Sequence, residues 1–145
     1  MMDFKTSMKI SSQGMGAHRT WLNVTSANLA NINTTRTEDG EPYRRRTLIY
    51  QSDPPRAFDH FMDDALEEQV QGVEVVEILP DNREFAQVYD PDHPDADDEG
   101  YVRTPNINPV EEMANLMNAS RSYEANLAAL STAKKLILKS LEIGK

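Results

Sequence analysis

The sequence predicts an α+β fold: long N- and C-terminal helices packed as an antiparallel coiled-coil hairpin, with a small antiparallel β unit inserted between them. Three observations predict it. The last third carries an unbroken seven-residue repeat, and the first segment carries a weaker repeat of the same period. Between them lies a stretch rich in β-branched, turn-forming and acidic residues. The chain therefore divides into an N-terminal helical arm, 1–35, a β-rich acidic middle, 36–107, and a C-terminal heptad helix, 108–145.

The first helix is expected from Phe4 to about Ile32. Met8, Met15, Leu22 and Leu29 recur every seven residues. A second row, Phe4, Ser11, His18, Thr25 and Ile32, is apolar only at its ends. Gly14 and Gly16 each weaken the helix by roughly 1 kcal/mol relative to alanine, so this arm needs a partner to be stable. Asn31, Asn33, Thr34 and Thr35 supply the stop, since Asn tolerates the left-handed conformation and these side chains compete for backbone bonds.

In the middle, Gly40 and Pro42 mark a turn. Tyr43 to Gln51 reads as a strand, ended by Pro54–Pro55. Ala57 to Val70 has the spacing of a short acidic helix. Gly72 to Leu79 alternates, with a phase slip at Val75–Val76 that predicts a bulge or a strand covered on both faces. Phe85 to Tyr89 and Tyr101 to Arg103 are further short strands, joined by a Pro- and Asp-rich loop from Asp90 to Gly100.

The third segment opens with Asn108-Pro109-Val110-Glu111. Asn caps, Pro suits the first helical turn, and Glu in the third position completes a capping box. The helix runs to about Ile143 and stops at Gly144, a length on the order of 54 Å. Its seam reads Met113, Leu116, Ser120, Tyr123, Leu127, Leu130, Lys134, Ile137 and Leu141, in alternating steps of three and four. A helix with one apolar stripe must bury it against another helix. The polar breaks at Ser120 and Lys134 lower stability and set register and partner number.

Composition narrows the function classes. The 145 residues hold 39% hydrophobic residues and no cysteine, which predicts a modest core and excludes disulfides, thiolate metal sites and cysteine nucleophiles. No run approaches the ~20 apolar residues of a membrane span. Met1 to Ile10 lacks the apolar core of a secretory signal. The chain is therefore expected either to be cytoplasmic or to leave the cell by a route that needs no cleaved signal. The net charge of −9 is distributed as +3 over 1–52, −14 over 53–100 and +2 over 101–145. Such a middle repels phosphate, which disfavours nucleic acid.

No constellation supports catalysis. His18, His60 and His93 lie in three separate segments, without metal-ligand spacing, and no nucleophile–base pair can be nominated. Asp95, Asp97, Glu99 and Gly100 mimic the first half of a calcium loop. The position needing a bidentate Glu falls on Asn106, so the second half fails. Arg44-Arg45-Arg46 would be split between two faces of a strand. Acidic partners, within the chain or on a neighbour, suit these arginines better than nucleic acid.

At the level of whole motifs the chain resembles a known family. Leu22-Asn23-Val24-Thr25-Ser26-Ala27-Asn28-Leu29-Ala30-Asn31-Ile32-Asn33-Thr34 resembles the N-terminal signature of bacterial flagellar axial proteins, the rod and hook group. Gly40-Glu41-Pro42-Tyr43-Arg44-Arg45 narrows the match. So do Val88-Tyr89-Asp90-Pro91-Asp92-His93-Pro94-Asp95-Ala96-Asp97 with Gly100-Tyr101-Val102, and Pro105-Asn106-Ile107-Asn108 leading to Ala119-Ser120-Arg121-Ser122-Tyr123-Glu124-Ala125-Asn126. These are similar to the FlgC-type proximal rod family. Asp53 to Gln71 is longer and more acidic than that family's linker.

The resemblance implies a structural subunit of the basal-body rod, without enzymatic activity, cofactor or metal. Such subunits assemble helically, with copies of themselves and other rod proteins, into the drive shaft that transmits torque across the periplasm. Their terminal helices form an inner tube around an export channel, and the middle faces outward. The resemblance also implies passage through the flagellar type III apparatus, no membrane insertion, and the hook-basal-body adaptor and MS-ring region as neighbours. Subunit packing is expected from Met8, Met15, Leu22, Asn28, Leu29 and Asn31 on the first helix and from the nine seam residues of the last. Isolated arms are expected to order on assembly. The alternative is a soluble coiled-coil adaptor with an acidic calcium-binding loop, separable by calorimetry with calcium.

Overall fold

The computed structural model describes residues 4–52 and 72–143. The helix expected over Ala57–Val70 and the Gly144 stop lie outside them. The elements follow the order α1 (Phe4–Ala30), β1 (Arg46–Ser52), β2 (Val73–Pro80), β3 (Ala86–Tyr89), β4 (Tyr101–Thr104) and α2 (Pro109–Ile143). The strands form two separate two-stranded sheets, β1 with β2 and β3 with β4. The second is an antiparallel hairpin in which Ala86 faces Thr104 and Tyr89 faces Tyr101.

Local chemistry explains the ends of α1 and α2, with two departures from expectation. Asn31 does not adopt the left-handed conformation; among the described residues positive φ occurs only at glycine. Instead α1 tightens into three-residue turns, Ile32 N–H to Leu29 C=O and Thr34 N–H to Asn31 C=O. The Asn31 side-chain amide donates to the Ala27 carbonyl at 2.8 Å, a second bond to an oxygen that also accepts the Asn31 backbone N–H at 3.1 Å. At α2, Asn108 Oδ1 caps the Val110 and Glu111 amides at 3.0 and 3.4 Å. Glu111 does not complete the box: its carboxylate turns to Arg83, because a cation competes successfully with one backbone N–H.

The strand β2 also differs. Its inner row, Val73, Val75 and Leu79, keeps a single period of two, while Val76 and Ile78 are exposed. The second apolar row is left uncovered rather than doubly buried.

Packing divides the chain into two compact units, each built from parts of both helices. One comprises Met1–Thr20, Tyr50–Val76 and Ala119–Lys145; the other comprises Trp21–Ile49 and Glu77–Asn118. In the first, Gly14 of α1 meets Asn126 of α2 so closely that a Cβ on Gly14 would lie 3.0 Å from the Asn126 amide. Ser11, Ala17, Ala119 and Ala133 are buried in this unit, so the two backbones approach through small side chains. In the second, Asn28 of α1 bonds Glu112 of α2. Moving up α1 from Gly14 to Asn28 corresponds to moving down α2 from Asn126 to Glu112, so the two helices form the antiparallel hairpin.

Apart from Pro42 and Pro105, the buried apolar side chains among the described residues are Ala17, Val24, Val102, Ala119 and Ala133. None is larger than valine. Among the described residues the larger apolar side chains of both helices keep some exposure, and many of those on α2 are exposed.

Candidate functional site

The second unit is held by a buried polar junction rather than an apolar core. Asn28 and Glu112 are each 1% exposed, although a buried amide and a buried carboxylate are costly unless fully paired. Both are paired. Asn28 Nδ2 donates to Glu112 Oε2 and to the Arg46 carbonyl, each at 2.9 Å. Its Oδ1 accepts from the Arg46 amide at 2.9 Å and from the Tyr43 hydroxyl at 3.2 Å. One side chain of α1 thus uses both amide protons and both lone pairs to hold α2 and the start of β1.

Glu112 Oε1 receives Arg45 Nε at 2.9 Å and Nη2 at 2.7 Å. The Arg45 side chain is 12% exposed, and its other terminal nitrogen reaches Asp81 Oδ2 at 3.2 Å. Asn106, also buried, accepts the Arg45 amide at 2.8 Å and donates to the carbonyls of Asp81 and Arg83. Arg83 returns to Asp81 through its own amide and Nε. Burial pushes the Asp81 carboxyl upward. The bonds from the Arg83 amide and side chain, the Arg83 charge and the bond from Arg45 outweigh it and hold Asp81 below the usual carboxylate range. Burial pushes the Tyr43 hydroxyl up, against the Arg46 charge and with the Glu112 charge, so it remains a donor.

The junction joins α1, α2, β1 and the turn after β2 through directional bonds. Such networks fix a unique arrangement, and they fail as a unit when one member is lost. Sequence reasoning singled out Asn28 only through the family motif. The expected pairing of the arginine triplet with acidic residues holds at Arg45, but Asp81 and Glu112 were not named as its partners, nor Asn106 as a member of the junction. The available signal was a seven-residue row on α2, Glu112, Ala119, Asn126 and Ala133, made of small or polar residues where the eye follows Leu and Met.

That row faces α1: Glu112 bonds Asn28, Asn126 lies against Gly14, and Ala119 and Ala133 are buried. The expected packing residues therefore divide. Leu116, Ser120, Tyr123, Leu130 and Ile137 are half-buried within the chain, as are Met8, Met15, Leu22, Leu29 and Asn31. Met113, Leu127, Lys134 and Leu141 are exposed. Met113, Leu127 and Leu141, with Met117 and Leu138, leave a row of exposed apolar residues along α2 that Lys134 interrupts, with Met113 at 57% and Leu141 at 64% exposure.

The middle segment carries two charged features. At the base of the β3–β4 hairpin, Arg44 and Arg103 lie 4.2 and 5.0 Å from the centre of the Phe85 ring, lining a cleft of about 540 Å³ with Arg83 and Glu84. Arg45 points into the junction and Arg46 lies over the Tyr43 ring, so the arginine triplet is dispersed and forms no single patch. At the hairpin's other end the acidic loop is a built turn. Gly100, at φ +82°, closes it with bonds between Asp90 N–H and Gly100 C=O and between Gly100 N–H and Asp97 C=O. Asp97 Oδ1 accepts the Glu99 and Tyr101 amides, and Asp95 accepts the Thr35 hydroxyl at 2.7 Å and faces Arg36. Among the described residues no group of three or more His, Asp or Glu side chains is placed to hold a metal ion. No described helix is long and apolar enough to cross a membrane.

Comparison with known proteins agrees with this architecture. The family described as flagella basal body rod protein matches residues 8–36, and the C-terminal family of the flagellar basal body rod FlgEFG proteins matches residues 98–143. The two matches cover α1 with its terminal turn and β4 with α2. Proteins named flagellar basal-body rod protein FlgC are similar over nearly their whole length. That of Bacillus subtilis (strain 168) is 40% identical over 96% of this chain and 97% of its own. That of Borreliella burgdorferi is 39% identical over 98% of each, and that of Aquifex aeolicus (strain VF5) 38% identical over the full length of both. Nothing found supports the calcium-adaptor alternative. With relatives of this identity over nearly its full length, the chain belongs to the FlgC family of flagellar basal-body rod proteins, structural subunits of the flagellar basal body.

Proposed function

We infer that this chain assembles helically, with copies of itself and other rod proteins, into the periplasm-spanning drive shaft. In that assembly the terminal helices line the inner tube around the export channel. The acidic middle faces outward, toward the hook-basal-body adaptor and MS-ring region, and the subunit arrives through the flagellar type III apparatus without a cleaved signal.

The uncovered stripe on α2 carries this reading. Intrachain packing leaves Met113, Met117, Leu127, Leu138 and Leu141 exposed, while among the described residues no apolar side chain larger than valine is buried. Burying what remains of each side chain stabilises by about 1 kcal/mol, so a neighbour covering the stripe contributes several. A row of exposed apolar side chains on one helix face, interspersed with polar ones, suits a protein interface. Torque transmission requires many such contacts and no active site. Met8, Met15, Leu22, Leu29, Asn31 and the half-buried members of the α2 seam are the further packing positions, and Asn28 acts by holding the helices in place.

Leu127→Glu tests this without touching the intrachain contact. The variant should fold and be exported, yet fail to restore rods in a strain lacking the native chain. Rods of normal number and length carrying Leu127→Glu would sink the assignment of this face.

A further inference from the structure

The β3–β4 hairpin is electrically bipolar. Its base holds the cleft in which Arg44 and Arg103 converge on one face-accessible aromatic ring, Phe85, with Arg83 beside them. Arg83 is already matched to Asp81 at 2.8 Å. Arg44 donates to the Asp81 and Arg83 carbonyls at 3.4 Å and has Glu41, at 3.9 Å, as its one carboxylate among the described residues, while Arg103 has none within salt-bridge distance among them. Two guanidinium groups drawn to the same ring repel each other, and an anion placed between them relieves that repulsion. The chain nevertheless carries a net charge of −9, so a polyanion such as nucleic acid would be repelled as it approached.

The opposite end of the same hairpin supplies the complementary charge. Asp92, Asp98 and Glu99 are exposed at the tip and pair with no base among the described residues. The tip is also preformed. Asp97 Oδ1 fixes the Glu99 and Tyr101 amides, and Gly100 sits at φ +82° against the Tyr89 ring. A preformed acidic loop loses little conformational freedom on docking.

We propose that the cleft around Phe85, walled by Arg44, Arg83 and Arg103, receives the acidic hairpin tip, Asp92 to Glu99, of a second copy of this chain. The contact joins one end of a hairpin to the other end of the next. It is heterologous, and a heterologous contact propagates around a ring or along a helix rather than closing as a two-fold dimer. It rests on the rod assembly inferred above and names a contact within it. The charges orient the copies and the Phe85 face excludes water beneath them.

The absence of cysteine from the sequence makes the test direct. Glu84→Cys at the cleft and Asp98→Cys at the tip are combined in the full-length chain, in cells lacking the native copy, and isolated basal bodies are oxidised. The expected product is a ladder of disulfide-linked oligomers of this chain, absent from either single variant. Arg103→Glu in that background removes the ladder, and adding Glu99→Arg restores it. Rods that form but yield no ladder, a cleft cysteine joined to a different rod protein, or a ladder indifferent to both charge reversals would each overturn the proposal. In every case the presence or absence of rods by electron microscopy reports separately on the assembly itself. Purified chains carrying one cysteine each, mixed in equal amounts, give a second measure: the mixed dimer should exceed the sum of the two homodimers, and the 1:2:1 ratio of random pairing overturns the contact.

Discussion

Glu112→Gln keeps the size of the side chain and removes its charge, and the geometry sets the cost. Every group around the carboxylate is a donor: Arg45 Nε at 2.9 Å, Arg45 Nη2 at 2.7 Å, Asn28 Nδ2 at 2.9 Å and Asn115 Nδ2 at 3.4 Å. A glutamine brings its own NH2 into this shell, so at least one donor must face another or lose its partner. Breaking one side of a buried charged pair costs about 3–5 kcal/mol. Arg45 retains Asp81 at 3.2 Å and Glu111 at 3.9 Å, which places this case near the lower end, at about 3 kcal/mol. That is more than a hundredfold in the folding constant. The exposed Lys139–Glu142 pair has an equally ordinary distance, 3.2 Å, but both side chains are about two-thirds exposed or more. Its removal by Glu142→Gln should cost about 0.5 kcal/mol or less. Urea unfolding of the full chain, followed by circular dichroism and by the fluorescence of Trp21, the one tryptophan, measures both. A Glu112→Gln chain within about 1 kcal/mol of the parent, or no worse than Glu142→Gln, would refute the assignment of the junction as the main lock.

The two α1 glycines should respond in opposite directions. A methyl group on Gly16 would meet nothing within 4 Å, so Gly16→Ala should raise the melting temperature by a few degrees, through about 1 kcal/mol of helix propensity. Gly14→Leu must displace Asn126 and should cost about 1–3 kcal/mol in the same melt. Gly100→Ala meets the Tyr89 ring at 3.0 Å in a left-handed conformation, at a cost of about 1–2 kcal/mol for the backbone alone. Hydrogen exchange of the Asp90 and Gly100 amides should then accelerate about tenfold; unchanged protection would count against this turn. Asp81 has a lowered pKa in the fold, so its contribution is complete above the unfolded carboxyl range, about pH 4, and is lost as pH falls through the lower folded value. The stability gap between the parent chain and Asp81→Asn should therefore shrink below about pH 4; a gap constant from pH 7 to pH 2 would contradict the pairing.

The helices were legible because period and caps are local properties. The α2 seam and the Asn108 cap follow from spacing alone, and the strands from alternation between turn residues. The junction was not legible, because its members lie far apart in sequence and each has an ordinary local explanation. Arg45 reads as one of three strand arginines, Glu112 as first-turn acid beside Glu111, and Asn106 as loop. Only the close approach of α1 and α2 turns them into one network. The same approach explains why the large residues of the seam are not its most buried ones. Small side chains at Gly14, Ala17, Ala119 and Ala133 set the distance between helices, and Leu, Met and Tyr are left flanking or outside. Composition signalled the modest core, but it could not say which face of α2 stays uncovered.

A reconstruction of the intact basal body tests the assembly most directly. The α2 row Met113, Leu127, Lys134 and Leu141 should lie against helices of neighbouring subunits, with its apolar members no longer exposed. A reconstruction in which that row faces solvent or the channel, while the rod is otherwise complete, would contradict it.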